Sequence, residues 1–115
     1  MNAEIKADWL AALRSKKYYQ IEGTLKLERE DRGNNKGHCC LGVLCEIHPN
    51  LDFGGGPDFE LFHEGECYGT QADLPFSVLD EIGLTKDEQD HLIFLNDTEN
   101  KTFTEIADYI ERKIS

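Results

Sequence analysis

Three of the chain's four cysteines fall inside the stretch HCCLGVLCE, from His38 to Glu46. Sulfur and imidazole at this density raise three chemistries: a metal centre, a nucleophilic thiol, or reduced core packing. Structural zinc sites draw on Cys-x2-Cys and His-x3-His spacings. The donors available here, Cys39, Cys40, Cys45 and Cys67 with His38, His48, His63 and His91, match neither pattern. On a helix, Cys40 and Cys45 would stand about 140° apart, too far round to share one ion. The spacing therefore assigns no metal and no cofactor.

A nucleophilic cysteine needs its pKa lowered by a helix N-terminus, a cation or a neighbouring histidine. Cys39 and Cys40, beside His38 and close to Lys36, meet that requirement on paper. No orienting Asn, Asp or second histidine can be assigned to them, and vicinal cysteines at the head of an apolar helix read first as packing. No residue is assigned as catalytic, and a cysteine-dependent enzyme ranks third among the functions considered. A calcium loop at Asn96 to Lys101 is rejected: its sixth position lacks the required glycine, and Asp108 stands where the bidentate glutamate belongs.

The same stretch fits binding better. A helix beginning at Cys39 or Cys40 presents unpaired backbone N–H groups and the positive end of its dipole, which together favour an anion. Lys26, Arg29, Arg32 and Lys36 lie on the strand and turn that lead into it. Tyr18, Tyr19, Tyr68 and Phe103 offer faces on which a base could stack, and Gln20 and Asn96 offer amides for a base edge or ribose. The candidate ligand-binding set is Tyr18, Gln20, Lys26, His38, Cys39, Cys40, Leu41, Asn96, Asp97 and Phe103.

These residues must be positioned by a short run of elements. Ile5, Trp9, Leu10 and Leu13 recur at helical spacing and predict a first helix over residues 3–15. TLKLERE alternates apolar and polar residues and predicts a strand, followed by a turn through DRGNNKG. The apolar run from Cys39 to Ile47 fits a strand or a helix. Leu41, Leu44 and Cys45 at i, i+3 and i+4, closed by His48-Pro49-Asn50, favour the helix. LDFGGGPD, residues 51–58, predicts a flexible loop without the Lys-Ser/Thr of a P-loop. FELFH and ECYGT flank Glu64-Gly65 and predict a hairpin with Phe59, Leu61 and His63 on one face.

The last forty residues predict three helices. Pro75 opens FSVLDEI and Gly83 closes it; Thr85 with Glu88, and Thr102 with Glu105, form capping-box pairs that open the next two. The resulting class is α+β, a small antiparallel sheet built from hairpins with helices packed on it from the N-terminus, the middle and the C-terminal third.

Size and charge bound the function. A chain of 115 residues predicts a single domain over 1–115. No segment approaches the roughly 20 apolar residues of a membrane span, so the chain reads as soluble and cytosolic with reduced thiols. Twenty-three acidic against twelve basic residues give a net charge of −11, which repels phosphate backbones and argues against direct nucleic-acid binding. The same charge suits docking on a basic protein surface.

Trp9 and Leu13, Tyr18-Tyr19-Gln20, Cys39 to Cys45, Leu95-Asn96-Asp97 and the block Phe103 to Glu111 together resemble the small "CCLGVLC" proteins of bacteriophage and prophage genomes. The resemblance runs over nearly the whole chain and implies a phage accessory protein acting in the host bacterial cytoplasm against a defence system. Such a protein is expected to sequester a phosphate-bearing nucleotide-type messenger without catalysis. Phosphate would sit at the Cys39–Ile47 helix start, and a homo-oligomer would help to enclose the ligand. The alternative is an acidic inhibitor that occludes a host nucleic-acid-processing or defence enzyme.

Overall fold

The computed structural model describes residues 1–29, 35–55, 59–69 and 72–115. Its elements run α1 (Ala3–Arg14), β1 (Tyr19–Gln20), β2 (Lys26–Arg29), β3 (Asn35–His38), α2 (Cys40–Ile47), β4 (Leu51–Phe53), β5 (Leu61–His63), β6 (Glu66–Cys67), α3 (Phe76–Ile82), α4 (Lys86–Asp97) and α5 (Phe103–Lys113). The fold is α+β, as the sequence predicts.

The helices start and stop where their caps dictate. Asn2 accepts the Glu4 and Ile5 N–H groups at 3.0 Å and opens α1. Thr85 and Thr102 each accept the N–H of the glutamate three residues on, which reaches back to the threonine N–H, so both expected capping boxes form. Gly83 ends α3 at φ 76°, a left-handed conformation that side chains resist.

The strands depart further from expectation. Two three-stranded sheets replace the single antiparallel sheet, in the orders β1-β3-β2 and β4-β5-β6. β2 and β3 pair antiparallel, but β1 pairs parallel with β3 because residues 21–25 carry the chain across to the far edge. Asn35 to Gly37, expected in the turn, form strand β3 with His38; turn residues 31–34, and residue 30 of the expected strand, lie outside the described residues. Leu51 to Phe53, expected in a loop, is strand β4, tied antiparallel to β5. Residues 56–58 of that loop also lie outside the described residues. The β5–β6 hairpin turns at Glu64-Gly65, as expected, with both residues at positive φ.

At the centre sits α2. Every residue from Cys40 to Cys45 is buried, the behaviour of a helix that is apolar all round. Leu41, Val43 and Leu44 are each wholly buried, a contribution of about 1.5–3 kcal/mol apiece. Trp9 of α1 donates its indole N–H to the Cys40 carbonyl at 2.9 Å. Phe103, Ile106, Ala107 and Ile110 of α5 join the same core. Arg14 also pairs with Asp108 at 2.8 Å and Glu111 at 3.2 Å across α1 and α5, exposed contacts that water and salt screen. Among the described residues, no helix is long and apolar enough to cross a membrane.

Candidate binding site

Sheet pairing gathers most of the expected residues. Gln20 of β1 and Lys26 of β2 both stand opposite His38 of the central strand β3. Tyr18 lies edge-on to the His38 ring with centroids 5.2 Å apart. The chain then passes through Cys39 directly into α2, while Asn96 and Asp97 arrive from the end of α4. Phe103 stands apart in function: it is 8% exposed and belongs to the hydrophobic core.

Asn96 ties this neighbourhood together. Its Oδ1 accepts from Gln20 Nε2 at 2.9 Å and from the Cys40 backbone N–H at 3.3 Å. Its Nδ2 donates to the Ile21 carbonyl and to Asp97 Oδ1, both at 2.8 Å. Asp97 Oδ2 accepts the Gly23 N–H at 3.2 Å, and Gln20 Nε2 also donates to the Lys101 carbonyl at 2.7 Å. A side chain only 1% exposed thus satisfies all of its polar atoms within the protein.

Two of the backbone N–H groups expected to face an anion are taken up within the protein. The Cys39 N–H is given to the Leu25 carbonyl at 3.2 Å and the Cys40 N–H to Asn96. Burial pushes the Cys39 thiol up to about 11, against smaller opposing effects of the Gly42 and Leu41 backbone, and pushes the Cys40 and Cys45 thiols well up. The helix start is filled by the protein's own atoms. Cys40 and Leu41, both wholly buried, face no solvent.

Lys26 likewise has a local partner. Its ammonium sits 2.7 Å from Glu46 Oε2 and over the rings of Phe53 and Phe59, at 4.9 and 4.5 Å from their centroids. His38 Nε2 meets the same Glu46 oxygen at 2.6 Å. The His38 hydrogen bond, reinforced by Lys26 against the opposing effect of burial, lowers the Glu46 pKa to about 2. The other ring nitrogen, His38 Nδ1, is buried and has no hydrogen-bond partner. Lys36, by contrast, is exposed, its ammonium 5.6 Å from the Phe59 centroid. Arg32 lies outside the described residues.

A second polar cluster was not foreseen as a site. Glu81 of α3 sits between two histidines: His48, just past α2, meets its Oε2, and His63 of β5 meets its Oε1 at 3.2 Å. The His48 contact, ahead of His63 and against partial desolvation, holds the Glu81 carboxyl below its ordinary range. Ser77 Oγ approaches His63 Nδ1 at 3.4 Å, and Tyr68 bridges Ser77 to Glu66. These residues are scattered from 48 to 81, so no local spacing announces them. The inward-facing His63 on an alternating strand was the one available signal.

Clefts open elsewhere. One of about 170 Å³ lies between α1 and the end of α2, beside Glu4, Asp8 and His48. Another of about 300 Å³ runs between α4 and α5, beside Lys101, Tyr109, Arg112, Glu105 and Asp108. The third, about 150 Å³, is bounded by Leu74, Phe76 and Gln89. Enclosed sites for drug-sized ligands span roughly 300–1,000 Å³. The expected ligand-binding residues line none of these three clefts.

Residues 1–54 match the model of a family described as a domain of unknown function, DUF8296. No curated protein matches the chain, and no solved structure matches it.

Proposed function

We propose that the protein acts by binding, without covalent chemistry at its own thiols, and that it docks its acidic surface on a basic face of a partner protein. The observation that carries this reading is the closed Asn96 knot. The groups best suited to grip a small ligand are already paired with one another, while the net charge of −11 remains for long-range attraction. The resemblance to phage-encoded "CCLGVLC" proteins supports a host nucleic-acid-processing or defence enzyme as that partner.

A second reading is sequestration of a phosphate-bearing nucleotide-type molecule. It is favoured by His38, whose buried Nδ1 lacks a partner beside the aromatic rings of Tyr18 and Phe53. Enclosure would then come from a second copy of the chain or from movement of the Phe53 and Phe59 side chains.

One experiment separates the two. The immobilised protein is exposed to bacterial lysate at low and high salt, and a parallel sample is incubated with cyclic and ADP-ribose-type nucleotides and then heated. Docking predicts a basic protein released by salt and displaced by heparin, with no nucleotide recovered. Recovery of unchanged nucleotide from the heated sample overturns docking in favour of sequestration, and recovery of altered nucleotide identifies an enzyme.

A further inference from the structure

We propose that His63, Glu64 and Glu81 form a binding site for a divalent transition-metal ion of the zinc class, with His48 as its positioning residue. The site is independent of how the acidic surface is used. His63 Nε2 lies 3.2 Å from Glu81 Oε1 and 4.0 Å from Glu64 Oε1, and the three donor atoms all fall within 4.8 Å of one another. Bonds of about 2.0–2.2 Å in a tetrahedral site place ligand atoms roughly 3.3–3.6 Å apart. Closing the site therefore asks mainly for an inward swing of Glu64, whose side chain is 71% exposed and has room to move.

Hydrogen-bond counting points the same way. The Glu66 carboxylate can only accept, so Tyr68 donates to it at 3.2 Å. Ser77 can in turn give its proton to Tyr68 at 3.3 Å and accept from His63 Nδ1–H at 3.4 Å. In that tautomer the Nε2 lone pair faces the Glu81 and Glu64 oxygens, where an ion would take the place of the proton that the other tautomer gives to Glu81.

The surroundings resemble the outer shell of a metal site. A ligating histidine commonly has its second nitrogen hydrogen-bonded, as Ser77 does here, and ligating carboxylates are themselves held. His48 holds Glu81 by Oε2, leaving Oε1 for the ion. One imidazole and two carboxylates neutralise a divalent charge. The nitrogen donor favours the zinc class over calcium or magnesium. The exposed Glu64 leaves an open side for water.

The test is titration of chelator-treated protein with CoCl2, followed by displacement with ZnCl2. The expected result is one ion per chain, visible d–d absorption and no thiolate-to-cobalt band in the near ultraviolet. Glu64→Gln should weaken zinc binding by at least about tenfold, and His63→Gln should abolish it. His48→Gln should shift the cobalt spectrum and cost about tenfold in affinity, whereas His91→Gln, which removes a histidine elsewhere, should change nothing. If His63→Gln fails to fold, the exposed Glu64→Gln decides alone. Absence of saturable binding, binding unchanged by Glu64→Gln, or a thiolate band from Cys67 would each overturn the site.

Discussion

The backbone of Gly42 lies against the carbonyl of Leu25: a Cβ on residue 42 would stand 1.8 Å from that oxygen and 2.8 Å from its carbon. The same oxygen accepts the Cys39 N–H at 3.2 Å, so the residue before β2 meets both the N-cap and the first turn of α2. Glycine in a helix normally costs about 1 kcal/mol relative to alanine. Here the close approach reverses that sign, because a methyl group would collide with backbone rather than with a pliable side chain. Gly42→Ala should lower the unfolding free energy by about 2 kcal/mol or more, read from the urea midpoint. An unchanged or raised midpoint would contradict the close approach.

Acid should weaken the protein through Glu46. Its carboxyl is held at about 2 in the folded protein by His38 and Lys26, against 4.5 for an ordinary glutamate. A lowered folded pKa means that the stabilisation is complete above the unfolded pKa and disappears as pH falls from there through the folded value. The unfolding free energy should therefore drop between about pH 5 and pH 2. Glu46→Gln should flatten that slope and cost on the order of 1–3 kcal/mol at neutral pH, after allowing for partial solvent screening. Equal slopes in the two proteins would remove Glu46 as the cause.

The thiols should divide three to one. Cys39, Cys40 and Cys45 are buried and Cys67 is exposed, all four free. A thiol with a pKa near 11 is about one part in ten thousand thiolate at neutral pH. A disulfide reagent such as DTNB should modify Cys67 rapidly in the native protein and the other three only on unfolding. Mass spectrometry of the modified peptides checks the assignment. Rapid modification of Cys39 or Cys40 would revive the nucleophile reading.

Legibility followed physical locality. The capping boxes at Thr85 and Thr102 and the left-handed stop at Gly83 are decided within four residues, and each was readable. β1 and β3 were not readable: two residues show no period, and Asn35-Lys36-Gly37-His38 has neither alternation nor β-branched residues. β4 was masked by the glycines that follow it. Gln20, Cys40, Asn96 and Asp97 do converge, but a list of donors and acceptors does not say whether they face a ligand or each other. Glu46 and Glu81, the carboxylates that claim Lys26 and three of the histidines, are joined to them only by tertiary folding.

The central position of α2 also sets a timetable. The ribosome adds roughly 5–20 residues per second, and α4, which packs against α2, begins only at Lys86. During each round of synthesis the most apolar helix therefore waits about 2–8 s for α4 to begin. Chaperone demand should fall on that interval, and slow translation after Ile47 should lengthen it.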